Sequence, residues 1–215
     1  MFFHDRAEAG RKLAEKLIEY KNRKDAVVLG LPRGGVVVAS EVARILGLQF
    51  DVVIPRKISA PGDPEYAIGA ICEDGQGVFN QTEIRNLGVT PEYLTQQIEK
   101  EKTEIQRRLM IYRAKRPPLV LVNRIIILVD DGIATGLTML AAAHYVLNSG
   151  PRKVVIAVPV GSQETIKRLE ANKRIDEIVC LFQPSYFRTV GAFYQIFKQV
   201  EDEEVVELMA GEKPL

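Results

Sequence analysis

Residues 126–138 read IILVDDGIATGLT. With Ile125 ahead of them, the leading aliphatic residues form an unbroken apolar run, the pattern of a strand buried on both faces and therefore of a parallel sheet covered by helices. The run finishes on two adjacent carboxylates, Asp130 and Asp131, at the carboxyl edge of such a sheet, where ligands bind in open α/β folds. Two like charges side by side are costly unless water, a cation or hydroxyl donors satisfy them, and a sugar diol with bound Mg²⁺ would supply both. Beyond the pair, Gly132, Ala134, Thr135, Gly136 and Thr138 keep the turn small and offer hydroxyls. They also let backbone N–H groups at the start of the next helix face a phosphate.

Competing uses of such a string fail on specific residues. A Walker A loop requires a lysine that this loop lacks, and the GxGxxG of a dinucleotide-binding turn is absent. A phosphorelay receiver carries its acidic pair after the first strand, without a Thr/Gly phosphate loop, whereas this pair lies past mid-chain. A purely structural role would have the aspartates cap the turn and the glycines serve packing.

The same alternation extends outward in both directions. Residues 26–30 (AVVLG) read as a buried strand, LPRGG at 31–35 as a turn, and 36–47 as a helix ended by Gly47. DVVIPRK, 51–57, reads as a second buried strand, and strand, helix, strand in succession favours a parallel sheet. Before them, Asp5 and Glu8 have capping-box spacing, with helical repeats at Leu13, Leu17 and Ile18, predicting a helix to about residue 23. After the acidic loop come a helix at 138–148 closed by Gly150, the strand KVVIAVPV, a helix at 162–172 and the strand DEIVCLF.

Residues 59–77 are rich in Gly, Pro and Asp around AIGAI, predicting a mobile loop plus one strand. Thr90 as N-cap and Pro91 at the first helical position open a long helix to about residue 115, with Leu94, Ile98, Ile105, Leu109 and Tyr112 on one stripe. Pro117 and Pro118 end it. This helix interrupts the alternation, so residues 82–117, approximately, read as a helical insertion within a single domain spanning 1–215.

Composition narrows the class. The 215 residues are 47% hydrophobic and 27% charged, with 29 basic against 28 acidic side chains, an ordinary globular balance with no global field for nucleic acid. The N-terminal apolar stretch is broken by charge after three residues and no run is long enough to span a bilayer, so a cytoplasmic protein is expected. Cys72 and Cys180 stand far apart in no CxxC pattern, and His4 and His144 have no partner at metal spacing, so zinc and disulfide frameworks have no support. Ser162 lies in VGSQE rather than GxSxG, which removes the usual mark of an α/β-hydrolase.

VDDGIATGLT, residues 129–138, resembles the phosphoribosyl-diphosphate signature of type I phosphoribosyltransferases. The resemblance implies an α/β fold with a mostly parallel five-stranded core sheet, a small hood over the acceptor site, and a homodimer or larger homo-oligomer. It implies ribose hydroxyls on Asp130 and Asp131, Mg²⁺ held there mainly through substrate and water, and the 5-phosphate on Ala134, Thr135, Gly136, Leu137 and Thr138. Gly132 departs from the family, which commonly has an aliphatic residue there. Hypoxanthine and guanine enzymes carry Asp at the position of Ala134 and commonly Lys at that of Leu137, so their substrate assignment is not carried over.

Three further segments are candidates on this reading. Arg33, Gly34 and Gly35 of LPRGG sit where the family's pyrophosphate loop would be, at a helix N-terminus suited to an anion. Arg56 and Lys57, ending the expected second strand, would balance a departing diphosphate and with Arg33 form the catalytic set. Tyr186, Phe187 and Phe193 offer faces on which a flat base could stack, or rings that fill a core. The expected activity is transfer of the 5-phosphoribosyl group of phosphoribosyl diphosphate to a nitrogenous base. The alternative is a non-catalytic sensor of the same ligand that binds nucleic acid through the long helix, whose Lys100, Lys102, Arg107, Arg108, Arg113, Lys115 and Arg116 are interleaved with glutamates. A solvated ion-paired face is favoured there, so nucleic acid is not an expected partner.

Overall fold

A computed structural model describes residues 2–114 and 116–211. In chain order its elements are α1 (Arg6–Lys16), β1 (Ala26–Gly30), α2 (Gly34–Leu46), β2 (Gln49–Val52), β3 (Arg56–Ala60), β4 (Asp63–Ile71), β5 (Gly77–Phe79), α3 (Gln81–Asn86) and α4 (Pro91–Arg113). Then follow β6 (Ile125–Val129), α5 (Leu137–Asn148), β7 (Lys153–Val160), α6 (Gln163–Glu170), β8 (Glu177–Phe182) and α7 (Asp202–Ala210), with short 3₁₀ turns at Ile18–Tyr20 and Val190–Phe193. Lys115, placed on the basic helix by sequence, lies outside the described residues.

The apolar runs around residue 126 line up as one five-stranded sheet in the order β2-β1-β6-β7-β8, with all four pairings parallel. Alternation along each strand sends side chains to two separate cores. Val27, Leu29, Ile126 and Leu128 pack with Met139, Ala142, Val146, Ile166 and Leu169 of α5 and α6. Val28, Ile127 and Val129 pack on the other face with Leu13 and Ala14 of α1 and Val38, Ala39 and Val42 of α2. Each such side chain contributes about 1.5–3 kcal/mol by leaving water, so a strand reversed in the sheet would lose both cores at once. The α/β fold class expected from the sequence is borne out.

Three elements depart from the sequence reading. The expected strand 51–57 is broken: the ladder with β1 stops at Val52, Pro55 has no N–H to continue it, and Arg56 and Lys57 open β3 in a different sheet. The expected loop 59–77 is largely a three-stranded antiparallel sheet, β3-β4-β5, whose first hairpin turns at Gly62 with φ of 79°. Gly69 in β4 lacks a side chain because the Phe79 ring lies across it, a Cβ there meeting Phe79 Cδ1 at 2.5 Å. The first helix stops at Lys16, and the 3₁₀ turn carries the chain on from there.

The helix α4 packs against β3 and α7 and is tied to the core sheet by one buried cation. Arg113 donates to Asp51 Oδ1 (3.1 Å), Glu73 Oε2 (3.3 Å) and the Val52 carbonyl (3.0 Å). Burial pushes the Glu73 carboxyl up, and the Arg113 charge opposes that rise. Both cysteines are free thiols, and no described helix is long and apolar enough to cross a membrane.

Candidate functional site

Since β1 and β6 are neighbours, the loops that follow them meet at the carboxyl edge of the sheet. Residues 31–35 fold back over β6, with Leu31 N–H donating to the Val129 carbonyl (2.9 Å), and α2 begins at Gly34. Residues 130–136 follow β6, and α5 begins at Leu137 behind Gly136, whose φ of 73° places it in the left-handed region. Both helices therefore begin at this edge, with N-terminal N–H groups that no intrahelical carbonyl satisfies. The two loops touch through glycines. A Cβ on Gly35 would lie 2.7 Å from Asp130 Oδ1, and one on Gly34 would collide with Asp131 Oδ2.

A cleft of about 170 Å³ follows the second loop, lined by Asp130, Ala134, Thr135, Thr138, Met139 and Val190. The loop is braced from behind by α6. Thr165 Oγ1 donates to the Ala134 carbonyl (2.6 Å), Ser162 Oγ to the same carbonyl (3.3 Å), and Arg168 to the Thr135 carbonyl. With their carbonyls held outward in this way, the peptides of the loop keep a fixed orientation. Another cleft, of about 210 Å³, lies near Tyr20, Arg23, Arg152 and Lys153. Its cations are already paired with Asp25 and Glu177.

The acidic pair is half-buried. Burial and the neighbouring Asp131 charge push the Asp130 carboxyl well above the usual carboxylate range. Burial also raises Asp131, opposed by Arg6, whose Nε–H donates to Asp131 Oδ2 at 2.7 Å. The Asp131 N–H donates to Asp130 Oδ1 (2.8 Å), and Tyr194 Oη donates to the Asp131 carbonyl (2.6 Å). No cluster of three or more metal-ligating side chains occurs among the described residues. A divalent cation here would therefore share the two carboxylates with oxygens of a ligand and water, and the like-charged, desolvated pair has the chemistry for that role.

Residues 3–187 match the phosphoribosyl transferase domain. The chain belongs to that family. Two curated relatives from Mycobacterium tuberculosis strains, carrying provisional phosphoribosyl transferase names, are each 43% identical over 207 residues. That match covers 96% of this chain, which spans 46% of their length. The crystal structure of TT1426 from Thermus thermophilus is 45% identical, with a TM-score of 0.80, covering 97% of this chain and 98% of that one. The AQ2163 protein of Aquifex aeolicus, at 16% identity and TM-score 0.51 over 82% of this chain and 73% of that one, shares the fold.

Within this phosphoribosyl transferase domain the candidate residues are placed unequally. Asp130, Asp131, Gly34, Gly35 and residues 134–138 are brought together. Arg33 lies at the start of α2, but its guanidinium is bonded to Glu201 (2.9 Å) and lies 3.8 Å from Asp202. Arg56 and Lys57 do not reach the edge of the core sheet expected of them; the chain has left that sheet at Pro55, and they pair with Glu101 and Glu65 (2.7 and 3.1 Å). Phe193 is not an open stacking platform, being 8% exposed with its faces taken by Phe187 and Phe2. Phe187 is stacked on it, at 5.4 Å between centroids, and Tyr186 stands in solvent.

Gly132, the departure from the family pattern, has a local cause. A Cβ there would meet Val190 Cγ1 at 2.6 Å and Val160 Cγ1 at 2.9 Å, so the missing side chain lets the 3₁₀ turn at Val190–Phe193 settle onto the loop. Sequence reading missed Arg6, Val190 and the carboxylates on Arg33, and it grouped Tyr194 with the stacking rings rather than with the acidic loop that its hydroxyl bonds. The run EDEE at 201–204 was the one visible signal, an acidic cluster opposite a basic helix. In the structure Asp202 accepts from Arg107 (2.9 Å) and Tyr112 (2.5 Å), and Glu104 takes Arg107 and Arg108. Arg107 and Arg108 of the helix are thus paired within the chain.

Proposed function

We propose that this domain transfers the 5-phosphoribosyl group of phosphoribosyl diphosphate to a nitrogenous acceptor with release of diphosphate. The observation that carries the reading is the contact between loops: the N-terminus of α2 rests through Gly34 and Gly35 against a half-buried acidic pair, from which the second loop runs on to the N-terminus of α5. A sugar bearing anions at both ends and a diol between them matches that order of groups.

In this reading the N–H groups at 135–138 and the Thr135 and Thr138 hydroxyls hold the 5-phosphate. Asp130 and Asp131 accept from the ribose hydroxyls, which fixes the ring and its C1 face. The backbone of Gly34 and Gly35, with Arg33 once released from Glu201, receives the diphosphate. The acceptor nitrogen forms the bond to C1 as the C1–O bond breaks, and the electron pair leaves on the diphosphate oxygen. Since C1 gains positive character along the way, fixed carboxylates beneath the ring and fixed donors around the leaving group lower the barrier with little reorganisation. Mg²⁺ bound with the donor at Asp130 and Asp131 would add charge for the diphosphate and the diol.

Diphosphate release, measured with the donor, Mg²⁺ and a panel of purines, pyrimidines and related nitrogen compounds, tests this reading. Release with at least one acceptor, abolished by Asp131→Asn, is expected. Intact donor binding with no release from any acceptor would overturn transfer in favour of ligand sensing.

A further inference from the structure

We propose that Arg6 is a further residue of the donor site, a positioning residue that acts through Asp131; the inference rests on reading Asp131 as a ligand to the ribose diol. Arg6 opens α1, 125 residues from Asp131 in sequence, yet the two side chains form an ion pair of 2.7 Å and are 11% and 14% exposed. The guanidinium is held from three directions. Its NH1 group donates to the Lys198 carbonyl at 2.7 Å, and its central carbon lies 3.8 Å from the centre of the Phe197 ring. A Cβ on Gly34 would come within 2.8 Å of Arg6 Nε, so the cation also lies against the loop after β1.

This arrangement fixes how Asp131 presents itself. One oxygen, Oδ2, is held by Arg6, and the residue's carbonyl is held by the Tyr194 hydroxyl. Among the described residues Oδ1 takes no donor from outside the acidic pair, which leaves that oxygen for a sugar hydroxyl. A carboxylate pinned at one oxygen cannot rotate away from its ligand, and a planar fork bonded in two directions with a ring on its face cannot follow the ligand outward. Arg6 thus orders Asp131 before the sugar arrives. It does so without contacting the anionic ends of the ligand, which fall to the two helix N-termini.

Calorimetric titration in Mg²⁺, using ribose 5-phosphate, phosphoribosyl diphosphate and inorganic diphosphate, separates this role from the alternatives. For Arg6→Gln, both sugar ligands are expected to bind at least tenfold more weakly, while diphosphate changes by less than twofold. Arg6→Lys recovers most of the loss, because it keeps a donor and a charge beside Oδ2. In an Asp131→Asn background Arg6→Gln produces no further loss, since the group it orders has gone. Equal weakening of diphosphate would make Arg6 a direct anion ligand and overturn the proposal, as would additive losses in the double variant or no loss in the single one. If Arg6→Gln does not fold, judged by circular dichroism, Arg6→Met, which keeps an apolar stem beside Phe197 but no donor for Asp131, takes its place on the same three ligands: a sugar-selective loss supports the role and a uniform or absent loss overturns it. Wild-type protein that binds none of the sugar ligands would instead overturn the donor-site reading beneath it.

Discussion

Asp130 is partly desolvated beside another carboxylate, and the sign of its effect on stability follows from that. Its folded pKa lies above the unfolded value, so its contribution to stability is fully present below the unfolded pKa and is lost as pH rises through the raised folded one. Without ligand, Asp130→Asn should therefore melt at a higher temperature than wild type at pH 8, with the gap closing towards pH 4; a lower melting temperature at pH 8 would contradict the burial argument. Gly132 makes the opposite demand, for empty space. Gly132→Ala is expected to cost about 1–3 kcal/mol through overpacking against Val190 and Val160, and so to lower the melting temperature by roughly 2–10 °C. Adding Val190→Ala should recover part of that, and an unchanged melting temperature for Gly132→Ala alone would refute the contact. The acidic pair and the tight turn after it were legible in the sequence because they are contiguous, at the end of an apolar run. The contacts of Arg6, Val190 and Tyr194 were not, because nothing in their own neighbourhoods encodes a contact made across most of the chain.

Among the elements, α4 shows how one side chain can fasten a helix to a sheet. Arg113 reaches from its last turn to Asp51 and Glu73, and removing it leaves two buried carboxylates without their cation. Arg113→Ala should destabilise by about 3–5 kcal/mol, a fall in melting temperature on the order of 10 °C. Arg113→Lys should recover only part of this, because one ammonium cannot reproduce donation from three nitrogens of a plane; full recovery by Lys would show that charge alone suffices. The stripe of α4 was readable from its period, with Ile105 and Tyr112 buried as the pattern requires. Its basic residues were harder to read, since their partner Asp202 lies on α7. With those charges neutralised in place, the protein should show no retention of duplex DNA or RNA in filter binding at physiological salt. The hairpin sheet was missed for a compositional reason: Gly62 serves a turn, but Gly69 serves the passage of Phe79 over a strand.

For the molecule as a whole, the two-loop site couples ligand to stability. Phosphoribosyl diphosphate with Mg²⁺ at 100 times its Kd should stabilise by about 2.7 kcal/mol, a rise of roughly 5–10 °C in thermal unfolding. Ribose 5-phosphate and diphosphate at equal concentration should each give less, and no shift with any of the three would remove the site. The parallel sheet was readable because every strand in it except β2 is a run of apolar residues between turn signals. The β2 strand was blurred by the apolar residues that continue past its end to Pro55. The roof of the cleft is a different matter. Phe3 bridges to Tyr194 and His4 bonds Gln195 across 191 residues, so the beginning of the chain is fastened by residues beyond the family match at 3–187. A ribosome making this protein delivers the sheet, both loops and the acidic pair before the segment that covers them. Interrupted synthesis would leave Phe3 and the rings around it without their cover, and that exposed grease is the kind of surface by which chaperones and proteases tell a finished chain from an unfinished one.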